Sequence, residues 1–113
     1  MKAELRNQFV KELEGFKDAR YQGKHEECFR YLSRAHILSQ KSVRLHLRVH
    51  WIMFLYALSR DDAKEVRGQA LRLLVTIPGH LFGRVPLGNI GWSTVKLTQT
   101  MPIPEDLKDI YNS

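Results

Sequence analysis

The sequence predicts an all-α domain of about four helices, arranged as two antiparallel hairpins and followed by an ordered, extended tail. Three observations carry this. Apolar residues recur at spacings of three and four as far as residue 77. Short polar breaks interrupt them near residues 22–24, 39–42 and 60–62. All four prolines and four of the seven glycines then fall from residue 78 onward, where no long helix can form. At 113 residues the chain is expected to be one domain, a helical body over 1–77 with a tail over 78–113 packed on it.

The first helix spans residues 2–22, with Leu5, Phe9, Leu13 and Phe16 on one face and Gly23 placed for a left-handed C-terminal turn. A second spans 25–39, with Cys28, Phe29, Leu32 and Ala35 as its stripe and His36 on the flank. Ser42 can cap a third, over 43–59, where Val43, Leu47, His50, Phe54 and Leu58 line a face broadened by Trp51, Met53 and Ala57. So wide a stripe marks the central, most buried helix. Asp61 or Asp62 caps a fourth, whose apolar positions are Ala63, Val66, Ala70, Leu73 and Ile77 and which Pro78-Gly79 ends. The tail keeps Leu81, Phe82, Val85, Leu87, Ile90, Trp92 and Ile103, too apolar for a solvated segment. Residues 94–97 alternate like a strand without a partner, and 105–111 can form one closing helical turn.

Composition narrows the function classes. Apolar residues at 43% and charged residues at 27% are globular values. A single cysteine cannot form an internal disulfide, and the charged N-terminus lacks the apolar core of a secretory signal, so a cytoplasmic location is expected. The longest apolar run, eight residues from Trp51 to Leu58, is too short to cross a bilayer, and no membrane partner is expected. A net charge of +6 admits an acidic partner. Arg30, Arg34, Lys41, Arg44 and Arg48 would supply a basic surface for nucleic acid, but the nearby aromatics Phe29, Trp51 and Phe54 fall on apolar stripes and read as core. A solvated face is the preferred reading of those charges. A protein partner or a homodimer stays open.

The histidines carry the one constellation with chemistry in it. In an antiparallel hairpin turning at Gln40 and Lys41, His36 and His46 stand at nearly equal distance from the loop and should face each other. His50 follows His46 by one turn, the i, i+4 spacing that presents two imidazoles to one ion. Three imidazoles suit a divalent transition metal such as Zn, Cu, Ni or Fe(II), with water, Gln40, Glu12 or Glu65 as a fourth ligand. Buried histidines more often serve as hydrogen-bonded core residues, and a network with Ser39 and Gln40 that fixes the hairpin register is the weightier alternative. His25 and His80 are expected to be exposed and without a role, and Cys28 to be core. No catalytic triad or acid–base pair is spaced for chemistry, so the reading leans away from an enzyme. A metalloenzyme using the same histidines and a basic nucleic-acid-associated module are the alternatives to a binding or interaction protein.

Two resemblances accompany these readings. Ala19 to Gly23, with Cys28, Leu32 and Ala35, resembles half of a tetratricopeptide repeat, although Glu12 and Gln40 depart from that pattern. Residues 35–40, His46 with Val49-His50-Trp51, residues 85–91 and residues 101–104 together resemble a family of small bacterial proteins, domain of unknown function 3703. Ser39, Ile90 and Trp92 depart from the family pattern. That resemblance implies a bacterial source and supplies no activity.

Overall fold

The computed structural model describes residues 3–112. Five helices succeed one another: α1 (Ala3–Tyr21), α2 (His25–Ser39), α3 (Val43–Ser59), α4 (Ala63–Leu81) and α5 (Glu105–Asn112), with no strand among the described residues. Connections of three residues between the first four helices force each to run back along its predecessor. α1 pairs with α2 and α3 with α4, while α2 also packs on α3 and joins the two hairpins.

The helix ends follow the local chemistry. Gly23, at φ 72°, turns the chain out of α1, and the Lys24 N–H returns to the Ala19 carbonyl at 2.9 Å. The Ser42 and Asp62 side chains accept from the N–H groups of Leu45 and Glu65, as expected of N-caps. α4 does not stop at Pro78. The proline is exposed and costs the helix the one bond it cannot donate, to the Leu74 carbonyl, and the helix continues for three more residues to Leu81. The closing turn over 105–111 is a full eight-residue helix, with Glu105 and Asp106 at its N-terminal end. The tail between α4 and α5 is a succession of tight turns rather than extended chain, closed by bonds such as Asn89 N–H to the Pro86 carbonyl at 3.1 Å.

The apolar core joins Phe9, Leu13 and Phe16 of α1 to Leu32, Ala35 and Leu38 of α2 and Val49 and Met53 of α3, sealed by Trp92 and Leu107 from the tail and α5. On α3 the buried face is Leu45, His46, Val49, His50, Met53, Tyr56 and Ala57. It is rotated from the predicted stripe: Trp51 and Leu58 are about half exposed, at 51% and 47%, because α2 and α4 flank the helix from other sides. α4 departs further. It buries Glu65, Gln69, Arg72 and Thr76, turns Leu74 and Leu81 to solvent and leaves Leu71 and Ile77 about half exposed; of the expected stripe, Ala63, Ala70 and Ile77 are exposed and Val66 and Leu73 half-buried at the margin of the polar face. Among the described residues, no helix is long and apolar enough to cross a membrane.

Arg34 ties three elements together. Its Nε donates to Glu12 Oε1 at 2.6 Å and its Nη2 to Asp106 Oδ2 at 2.6 Å, linking α2 to α1 and α5. The Glu12 side chain is only 5% exposed, whereas that of Asp106 is 64% exposed. Arg34→Ala therefore strands a buried carboxylate and should lower unfolding stability by about 2–3 kcal/mol in urea titrations. Asp106→Ala should cost less than about 1 kcal/mol, since exposed pairs contribute little.

Candidate metal centre

Three imidazoles meet where α2 crosses α3. His36 comes from α2, and His46 and His50 from successive turns of α3, all three buried. His36 Nε2 lies 3.0 Å from His46 Nε2 and 3.1 Å from His50 Nε2. The far side of each ring has its own partner. His36 Nδ1 is 2.6 Å from the Asn89 carbonyl oxygen, His50 Nδ1 is 2.7 Å from Gln69 Oε1, and His46 Nδ1 is 2.9 Å from His80 Nε2.

These partners determine where the ring protons sit. A carbonyl only accepts, so His36 carries its proton on Nδ1 and donates it to Asn89. The Gln69 amide nitrogen donates to Glu65 Oε2 at 2.8 Å and to the Gly91 carbonyl at 2.9 Å, which turns Oε1 toward His50. His50 therefore also donates from Nδ1. In the neutral rings, His36 and His50 then direct two bare Nε2 lone pairs at each other across 3.1 Å. His46 has one proton to place, either on Nδ1 toward His80 or on Nε2 toward His36.

Protonating the rings is an expensive escape. Burial pushes His46 down to about 3 and His50 to about 4. The charges of His50 and His80 push His46 the same way, while the Gln69 bond partly opposes the effect on His50. His36 is driven well below the ordinary imidazole value, first by burial and then by His50 and His46. Burial also lowers His80.

The arrangement has the dimensions of a metal site. Imidazole nitrogens at about 2.0–2.1 Å from a tetrahedral ion stand about 3.3 Å apart, slightly more than the two separations found here. Among the described residues, His36, His46 and His50 are the group whose donor atoms, within 4.8 Å of one another, could hold an ion. All three rings line one cavity of about 240 Å³, bounded by α4 and the tail and partly open to solvent. Arg72 and Arg84 line it too.

The surrounding residues differ from the sequence expectations. Glu12 is engaged by Arg34 and Gln8 and lies outside the cavity lining, so it is no fourth ligand. Glu65 stands behind Gln69 and accepts from the Ser93 N–H and hydroxyl, which makes it a support for His50 through the amide. Gln40 spends both ends on the tail, donating to the Pro86 carbonyl and accepting from the Gly88 N–H, each at 2.8 Å. Ser39 donates to the His36 carbonyl within its own helix. The ring partners are thus Asn89, Gln69 and His80, not Ser39 and Gln40. His80 is half-buried and part of the cluster, because α4 continues past Pro78 and delivers it. His25 is exposed and bonded to the Tyr56 hydroxyl, and Cys28 is core, both in their expected settings. Of the five basic residues, Arg34 is held in ion pairs, while Arg30, Lys41, Arg44 and Arg48 are exposed. Gln69, Arg72 and Asn89 were missed. Glu65, Gln69, Arg72 and Thr76 do follow a four, three, four spacing, a helical stripe of polar residues that could have marked the inner face.

Gly91, at φ 88°, brings the tail against His36, and a Cβ there would sit 2.5 Å from His36 Cδ2. Gly91→Ala should therefore destabilise the fold by about 2 kcal/mol or more and shift the His36 ring resonances. The histidines also give the metal-free protein a defined pH response. Their folded-state values lie below the unfolded value near 6.5, so the unfolded chain binds more protons below that pH. The stability of the neutral cluster is complete above pH about 6.5 and is lost as pH falls through about 4 toward about 3. Each excess proton contributes a slope of about 1.4 kcal/mol per pH unit. Thermal melts in chelator should show falling stability from pH 6.5 to 5, a range above most carboxylate titration. A flat profile there contradicts burial of neutral rings.

No curated protein and no solved structure matches the chain. One family model, described as a protein of unknown function (DUF3703), matches residues 3–111. The match takes in α1 to α4, all but the last residue of α5 and all the residues around the histidines, and the protein belongs to the DUF3703 family.

Proposed function

We propose that the protein binds one divalent transition-metal ion through the Nε2 atoms of His36, His46 and His50, and that it acts as a binding protein rather than an enzyme. A single observation carries the reading. His36 and His50 both donate from Nδ1, and their Nε2 lone pairs lie 3.1 Å apart in a buried site. Two acceptors at that distance repel, and a cation between them turns the repulsion into coordination. Asn89, Gln69 and His80 then take the part that outer hydrogen bonds play around metal-ligating histidines, fixing each ring's tautomer and direction.

The nitrogen-only donor set suits Zn, Cu, Ni or Fe(II) rather than Mg or Ca. Because the rings are already neutral, binding requires little proton release. The competing reading, a purely structural network, is favoured by the one proton of His46, which can lie between His46 and His36 in the absence of an ion.

Elemental analysis of protein as isolated, with calorimetric titration of the metal-free form by Zn(II), Ni(II), Cu(II) and Co(II), separates the two. About one ion per chain and a raised melting temperature are expected. His46→Ala and His50→Ala should abolish binding, and Gln69→Leu should weaken it about 10–100-fold while leaving the ligands intact. Metal-free protein whose melting is unchanged by every ion leaves the structural network as the function of the cluster.

A further inference from the structure

A metal held only to stabilise a fold is enclosed by four protein ligands, whereas an ion that meets a substrate keeps one position open. Here three imidazoles line a cavity of about 240 Å³, the liquid volume of about eight waters. Its walls are mainly apolar, with Val75, Phe82, Val85 and Leu97 among them.

The charges around it are lopsided. Arg72 is 6% exposed, and its guanidinium donates only to carbonyls: Nη1 to Gly68 at 3.2 Å, and Nη2 to Trp92 and Val95 at 3.1 Å each. Among the described residues, no carboxylate forms an ion pair with Arg72 or with Arg84, the other arginine of the cavity. Glu65, the acid whose charge reaches Arg72, is occupied by Ser93 and Gln69. Two guanidinium charges, joined by those of an ion, therefore face one carboxylate. Arg84 is exposed, but Arg72 is buried, and a buried charge calls for a partner of the other sign. A hydrated inorganic anion would satisfy the charge and waste the apolar walls. A neutral hydrocarbon would do the reverse.

We propose that the cavity takes a small apolar monocarboxylate, with a carboxylate oxygen in the open position of the metal and the hydrocarbon body between α4 and the tail. The proposal rests on the metal reading above. It assigns Arg72 and Arg84 to the ligand's charge and Val75, Phe82, Val85 and Leu97 to its body.

The test uses full-length protein loaded with Co(II), whose visible absorption reports its ligands, titrated with acetate, butyrate, hexanoate and decanoate, with hexanol as the neutral control. Each buried CH₂ should tighten binding about fourfold. Hexanoate should therefore exceed acetate by well over tenfold, and decanoate should gain nothing further once the cavity is full. The cobalt spectrum should change with the acids and not with hexanol. Arg84→Gln should weaken hexanoate several-fold with Co(II) stoichiometry unchanged, and metal-free protein should bind hexanoate at least tenfold more weakly. Equal affinity for acetate and hexanoate, equal affinity for hexanol and hexanoate, or a spectrum indifferent to millimolar carboxylate overturns the proposal while the metal reading stands. Failure to bind Co(II), Zn(II), Ni(II) and Cu(II) alike removes both.

Discussion

Two imidazole nitrogens that have given their ring protons elsewhere, held 3.1 Å apart and away from water, impose a demand that the rest of the molecule is built to meet. Keeping His36 and His50 in that relation needs an acceptor behind each ring. The acceptors come from places far apart in the chain: Asn89 in the tail and Gln69 on α4. Asn89 in turn is fixed by its own side chain, which donates to the Lys96 and Gln99 carbonyls and accepts from the Gly91 N–H. Gln69 is fixed by Glu65 and Gly91. The chain of supports closes on itself, and α4, the tail and the α2–α3 hairpin each depend on it for their relative placement.

This explains the composition of α4. A surface helix ordinarily buries its apolar stripe. Here the inner surface must hold an amide, a carboxylate and a guanidinium in register with His50, Ser93 and the tail carbonyls. The apolar residues are displaced outward as a result. Gly68 belongs to the same scheme, since Ser93 occupies the space a side chain would need. The apolar core that stabilises the domain lies on the other side, among α1, α2 and α3.

The parts of the fold governed by local rules were legible in advance. The bounds of α2 and α3 follow from Gly23, from the cap at Ser42 and from apolar spacing, and the structure reproduces them. The meeting of His36 with His46 and His50 follows from hairpin symmetry and from i, i+4 spacing alone. What was not legible is what long-range contact decides. Pro78 reads as a stop locally, yet its exposed position lets the helix continue and bring His80 to a residue 34 positions earlier. The partner of His36 lies 53 residues away, beyond any periodicity argument. The inner face of α4 was misread because hydrophobic patterning assumes an apolar interior, and that assumption fails where the interior is a polar site.

The inverted helix has a thermodynamic consequence of its own. Hydration of newly exposed apolar surface raises heat capacity, and hydration of polar surface lowers it. Detaching α4 from the body would wet Glu65, Gln69, Arg72, Thr76 and three imidazoles, and of its apolar residues only half-buried ones such as Val66, Leu73 and Val75, while Leu74 is largely and Leu71 and Ile77 about half exposed already. Such a partial opening carries a far smaller heat-capacity change than global unfolding of the α1–α3 core. The free energy that keeps α4 docked therefore varies little with temperature, while that of the core follows the usual curved dependence.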